Sequence, residues 1–313
     1  MNEQSGKSPL PGTLQERLRQ RHFVMTAELV PPLSSDAQEL LRKAAGLKGI
    51  ADAVNVTDGA GARAHMSALA AANLLLQAGI EPILQITCRD KNRLALQSEM
   101  MGAAALGIRN LLLLSGDDPK AGDQPDTKPV FDVDSKTLIE TARRLRDEGA
   151  LPTGRKVAGH ADFFIGAADL PIDPPEGWQP HALLAKVQAG AQFAQTQFCM
   201  DAAIVRRYVG ALEKAGVTSK LALLIGVNPL RSAKSARWMK NHLYGTIIPG
   251  DFIARLEKAT DPAREGLRIC VELIEELSSI RGVAGVHIMA PGNDAAIPEA
   301  IAAARARVQR AAP

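Results

Sequence analysis

The chain predicts a single (β/α)8 barrel, and three observations carry that reading. Eight short apolar runs, rich in leucine or β-branched residues, recur along all 313 residues. Continuous apolar runs of this length suit strands buried on both faces, as in parallel sheets. Stretches of helical length with one apolar face separate them, and glycine often closes each stretch: Gly79, Gly107, Gly149, Gly190 and Gly216. Such a glycine caps a helix and feeds a short turn into the next strand. Early runs begin about 28–30 residues apart, the size of one βα unit. A doubly wound open sheet is the rival, weakened because no GxGxxG follows the first strand.

In order, the expected strands cover 23–30 (FVMTAELV), 53–57, 82–88, 110–115, 156–164, 193–200, 221–227 and 286–290. Expected helices cover 35–47, which opens on a Ser-Ser-Asp cap signal, then 66–78, 93–106, 135–146, 180–189, 202–215 and 261–279. Longer gaps mark insertions at 116–134, 165–179 and 228–280. Residues 1–19 read as a flexible arm, and 20–310 as the barrel.

Composition removes several classes. Hydrophobic residues make up 46% and charged residues 23%, which excludes wholesale disorder. The net charge is +3, with basic residues scattered rather than striped, which excludes a nucleic-acid partner. No apolar run has the length of a membrane span, and the polar start MNEQSGKSPLPG lacks the apolar stretch of a signal peptide. The 3 cysteines are far apart and odd in number, with no metal-ligand spacing; a reducing cytoplasm fits them, and no metal is expected. A homo-oligomer is left open.

In a barrel, chemistry gathers at the C-terminal ends of the strands. Polar residues interrupt nearly every run there. Glu28 lies between Ala27 and Leu29, where an unpaired carboxylate is costly to bury. It reads either as one half of a salt bridge or as a general acid with a raised pKa. Asp117 follows four leucines, Ser115 and Gly116. It reads as a turn or cap residue, or as a carboxylate aimed at the amide-like edge of a heterocycle. Gln197 offers a donor and an acceptor and reads as a core amide or a partner for an aminopyrimidinone edge. His160, Asp162 and His287 fall in or near strands, and the histidines read as satisfied barrel residues. Cys88 and Cys199 read as small buried hydrophobes, and Lys186 as a solvated lysine.

Six stretches together resemble the methylenetetrahydrofolate reductase family, in the family's order. They are TAELVPP, NVTDGAGARAHMSALA, QITCRDKNRLALQSEMMGAAALGIRNLLLLSGDDP, KPVFDVDS, FFIGAADLP and AGAQFAQTQFCMD. The resemblance runs from about residue 20 to 230 and is closest to the short bacterial members. It implies an FAD-bearing barrel in the cytoplasm that uses NAD(P)H to interconvert 5,10-methylenetetrahydrofolate and 5-methyltetrahydrofolate. That chemistry belongs to one-carbon metabolism and methionine biosynthesis. By the same resemblance Glu28 protonates the folate as its methylene bridge opens. Asp117 lies by the flavin and binds the pterin, and Gln197 bonds the pterin. Thr57, Gln85, Ser115 and Gly116 lie at the flavin, Phe131, Asp132 and Val133 occupy the adenine-packing stretch, and Lys186 reaches the flavin phosphates. This chain departs from many members at Gln85, Ser115, Ala185 and 131–133, all on the flavin side. A reductase that takes hydride directly from NADH and a non-catalytic folate-binding subunit are therefore the alternatives. Arg231 and Lys234 are cations available to a folate glutamate tail.

Overall fold

The computed structural model describes residues 12–311. Eight parallel strands close into a barrel in sequence order, as expected. They are β1 (Val24–Leu29), β2 (Ala53–Val56), β3 (Pro82–Thr87), β4 (Asn110–Leu114), β5 (Phe164–Asp169), β6 (Phe193–Phe198), β7 (Ala222–Val227) and β8 (Val283–Ile288). The surrounding helices are α1 (Leu14–Arg19), α2 (Ala37–Ala44), α3 (Ala68–Gln77), α4 (Arg93–Ala105), α5 (Ser135–Glu148) and α6 (His181–Ala189). They continue with α7 (Ala202–Lys214), α8 (Ala233–His242), α9 (Gly250–Lys258), α10 (Pro262–Ser278) and α11 (Ala296–Ala311). No helix among the described residues is long and apolar enough to cross a membrane.

The barrel interior is layered. Its floor is apolar: Val24, Ala53, Ile83, Leu112, Phe164, Phe193 and Leu224 meet there, and Leu14 of α1 plugs them from below. The next layer up is polar. Gln195 on β6 exchanges hydrogen bonds with Asn55 on β2, donating to its Oδ1 at 3.0 Å and accepting from its Nδ2 at 2.5 Å. Gln195 Nε2 also donates to Thr26 Oγ1 at 3.1 Å, and that hydroxyl lies 3.0 Å from His287 Nδ1. All four residues are buried, and their mutual bonds satisfy groups that would otherwise be costly inside a barrel. This layer is the base on which the top layer stands.

Three expectations are corrected. The fifth strand was placed at 156–164 but forms at Phe164–Asp169. Its Gly166-Ala167-Ala168 core has too little apolar bulk to stand out as a strand. Glycine is required there, because a Cβ on Gly166 would enter the ring of Phe193, which stacks on Phe164 at 4.8 Å. His160 and Asp162 therefore precede the strand and are exposed on the opposite end from the strand C-termini. The eighth strand begins three residues before the expected 286. Of the expected arm, residues 1–11 lie outside the described residues, while 14–19 form α1. Thr13 and Glu16 build a capping box for this helix, and the Leu14 amide donates to Glu81 at 3.1 Å. One anchoring leucine gives no periodic signal, so the helix was not visible in the pattern.

Candidate active site

A cavity of about 680 Å³ opens above the polar layer, at the C-terminal ends of the strands. Its wall takes in Glu28, Thr57, Gln85, Ser115, Gly116, Asp117, Lys186 and Gln197. The sequence had marked all eight. Residues 131–133 are not on that wall, although Ser135 is. Asp132 is turned outward onto Arg93, accepting from its amide, Nε and Nη2 at 2.7–2.9 Å, and Phe131 is exposed with φ +40°. Residues 131–133 therefore stand outside the cavity lining.

Glu28, the penultimate residue of β1, faces inward, two residues beyond Thr26. Its side chain makes no hydrogen bond with a described residue, yet strand alternation holds it at the barrel mouth. Burial raises its carboxyl to about 7; Asp294 and Asp117 push the same way and Lys43 opposes them. Among the described residues none forms a salt bridge with Glu28, which leaves the protonatable acid as the reading to test.

Asp117 follows β4 through Gly116, whose φ of +98° and close approach to the Thr87 and Arg89 side chains call for glycine. Its Oδ2 accepts from the Gly61 amide at 2.9 Å, which ties the loops after β2 and β4 together. Asp117 lines the cavity, and its other oxygen makes no hydrogen bond with a described residue. Asp58 is occupied differently: Oδ2 accepts from the Thr87 amide and hydroxyl at 2.9 and 3.0 Å and from Lys91 at 2.8 Å.

The far wall is less as expected. Gln197 lies where β6 and β7 change register, between Gln195 and Phe198. Its Oε1 accepts from the Phe198 amide at 2.9 Å, and its Nε2 makes a long 3.4 Å contact to Tyr244 O. A ligand at this residue is offered the remaining N–H. Lys186 is half-buried rather than solvated: it donates to Ala168 O at 2.6 Å, and burial lowers its pKa against the pull of Asp169. Asp169, Tyr208 and Trp178 were missed. The Tyr208 hydroxyl donates to Asp169 Oδ2 at 2.6 Å, and the Trp178 and Tyr208 rings lie 5.4 Å apart. Burial raises the Asp169 carboxyl, with the tyrosine bond opposing. The signal was the Asp in FFIGAADLP, hidden by the misplaced fifth strand.

His287 is a buried barrel histidine on the cavity floor, pushed down to about 3 by burial and so neutral. Cys88 and Cys199 are buried free thiols. Among the described residues no cluster of His, Cys, Asp and Glu could hold a metal.

The walls suit a flavin ring. Thr57 Oγ1 is buried without a hydrogen-bond partner, an unmet polar atom on the cavity wall. Leu112, Leu113 and Leu114 supply apolar surface nearby, and Gln85 a side-chain amide. Lys186 is the one lysine or arginine on that wall among the described residues, a lean cation supply for a group carrying phosphates.

A family model described as methylenetetrahydrofolate reductase matches residues 13–305. Curated relatives include a probable methylenetetrahydrofolate reductase (NADPH) of Caenorhabditis elegans, 25% identical over 73% of this chain and 33% of that protein. The 5,10-methylenetetrahydrofolate reductase of Escherichia coli K12 is 25% identical over 67% of this chain and 65% of its own length. The chain thus spans about a third of the nematode relative and under two thirds of the bacterial one. Among solved structures, an uncharacterized Clostridium thermocellum protein that binds two copies of 5-methyl-5,6,7,8-tetrahydrofolic acid superposes with a TM-score of 0.67. That match is 13% identical and covers 95% of this chain and 99% of that one. DmoA from Hyphomicrobium sulfonivorans gives 0.57 at 10% identity, over 93% and 89%. At these identities the structural likeness is one of fold.

Proposed function

The chain belongs to the methylenetetrahydrofolate reductase family, and from that membership we propose that it interconverts 5,10-methylenetetrahydrofolate and 5-methyltetrahydrofolate with NAD(P)H and FAD. The observation that carries this reading is Glu28, an inward carboxyl raised to about 7 at the mouth of the barrel. Reduction consumes one hydride and one proton, and a group titrating near neutrality is suited to give that proton. Glu28 would deliver it to the folate nitrogen that leaves the methylene carbon, so that the carbon can accept hydride. Asp117 would orient the pterin by accepting from its N–H edge with the oxygen that Gly61 leaves free. Gln197 would donate its remaining N–H to the same ring system. Thr57, Gln85, Ser115 and Gly116 would hold the flavin ring and Lys186 the phosphates. When bound, FAD supplies the two-electron relay between nicotinamide and folate. Gln195 and His287 of the buried polar layer line the same cavity and would form the surface beneath the bound rings.

The test is an absorption spectrum of the freshly purified protein, before and after adding FAD, followed by anaerobic titration. Bands near about 450 nm that NADH bleaches and methylenetetrahydrofolate restores support the proposal. NADH-linked folate reduction without any flavin band would replace it with direct hydride transfer. Folate binding without turnover of NADH or of an artificial acceptor would replace it with a non-catalytic binding role.

A further inference from the structure

Glu28 lines two cavities. Behind it, away from the main one, lies a second of about 320 Å³, walled by α2 and the start of α11. Lys43 and Asp294 stand at this cavity, with Lys43 Nζ 2.7 Å from Asp294 Oδ2 and donating to Val30 O at 2.8 Å. Both side chains are about one-third exposed, at 31% and 36%, so the pair borders solvent on one side and the cavity on the other. The volume is ample for several water molecules, and its carboxylate, ammonium and carbonyl groups are the partners such waters need.

We propose that Lys43 and Asp294 are positioning residues for Glu28, acting across this second cavity, which gives the carboxyl a proton route to solvent separate from the main one. The inference deepens the proposed reduction and rests on Glu28 as its proton source. Each turnover removes one proton from Glu28 and must return one. With stacked rings filling the main cavity, the face toward Lys43 and Asp294 is the one left to water. The groups facing Glu28 come from four elements. Asp117 after β4 and Asp294 before α11 are like charges that favour the protonated form. Lys43 on α2 favours the ionised form, Arg42 beside it lines the second cavity, and His287 on β8 is neutral. Burial is the largest cause of the raised carboxyl, and the ion pair sets two opposed charges beside it from the second cavity.

The experiment is a pH titration of the carboxyl band of Glu28 by difference infrared spectroscopy, on the whole purified protein and without substrate. The band is assigned by its loss in Glu28→Gln. Three variants move its midpoint with stated signs. Asp294→Asn removes a like charge and frees Lys43, so the midpoint falls by about half a pH unit or more. Lys43→Met leaves Asp294 uncompensated, so the midpoint rises by a similar amount. Ala295→Phe fills the second cavity and displaces water from behind Glu28, so the midpoint rises again. Shifts of these signs support the inference. Midpoints that stay at the wild-type value, or shifts of one sign for both charge variants, overturn it. Wild-type folate turnover is measured separately. Its absence would overturn the proposed reaction and leave the infrared result to decide the role of the pair.

Discussion

Two carboxylates sit at opposite ends of the barrel, and nearly everything about them differs. Asp52, at the bottom beside β2, is fully enclosed. Its Oδ2 accepts from the Met25 amide at 2.6 Å and from Arg305 at 2.8 Å, and its Oδ1 lies 2.5 Å from Arg17. It ties α1, β1 and α11 together. Glu28, at the top of β1, has no hydrogen bond to a described residue and looks into two cavities. A carboxylate given partners on every side is a brace. One denied them, in low dielectric, holds its proton and is available to pass it on. The partner set distinguishes the two roles.

Neutralising each carboxylate while keeping its shape is the direct way to break this comparison. Glu28→Gln is expected to lower folate-linked turnover about 10²–10⁴-fold, the usual contribution of a positioned general acid. Oxidation of NAD(P)H by an artificial acceptor should stay within about twofold, because that half-reaction needs no proton on folate. Steady-state assays with the two acceptors decide it, and an equal loss in both would make Glu28 structural. Asp52→Asn is expected to act on folding instead. It leaves Arg17 and Arg305 facing a neutral amide, and breaking such a pair costs about 3 kcal/mol or more. Urea unfolding should show that loss, while turnover per folded molecule stays near wild type. A stable, inactive Asp52→Asn would invert the assignment.

The pH dependence of stability sharpens the same contrast. The Glu28 carboxyl sits at about 7 in the folded protein against 4.5 in its ordinary state. The folded chain thus binds a proton that the unfolded chain has released between those values. Stability falls as pH rises through this window, and the penalty is complete above it. Glu28→Gln carries no such penalty. At pH 8 the variant should be more stable than wild type by about 1–3 kcal/mol, and the difference should vanish below about pH 4.5. Denaturant curves at the two pH values measure it.

The same asymmetry governs what the sequence disclosed. On the β1–β4 side each polar residue closes a run of large apolar residues, so Glu28, Thr57 and Asp117 stand out against their neighbours. On the β5–β6 side the signal weakens. The middle of β5 is Gly166-Ala167-Ala168, and at Gly166 the Phe193 ring claims the space a side chain would fill. Bulk-based reading therefore slid the strand toward residue 156 and lost Asp169 and its Tyr208 partner. Gln197 was found, but not its turn onto the Phe198 amide, which depends on a register shift between β6 and β7. The second cavity was invisible for a plainer reason. Lys43 and Asp294 are separated by most of the chain, and only ring closure between β1 and β8 brings their segments together.

Thr57 carries the smallest expected effect and separates binding from stability most cleanly. Its hydroxyl is buried without a partner, so in the absence of a ligand it contributes an unmet donor and acceptor. Thr57→Val replaces that hydroxyl with a methyl of similar size. The ligand-free protein should gain up to about 1 kcal/mol, since a buried polar group without a partner is a net cost. Flavin affinity should fall by about fivefold, close to 1 kcal/mol, because the bond that would satisfy the hydroxyl is gone. Thermal denaturation of the ligand-free variant and fluorescence titration with FAD read the two quantities independently. A gain in stability with unchanged FAD affinity would mean that the hydroxyl faces something other than the flavin. A loss of stability would mean that it already has a partner in solution, and that the top layer is as fully satisfied as the brace around Asp52.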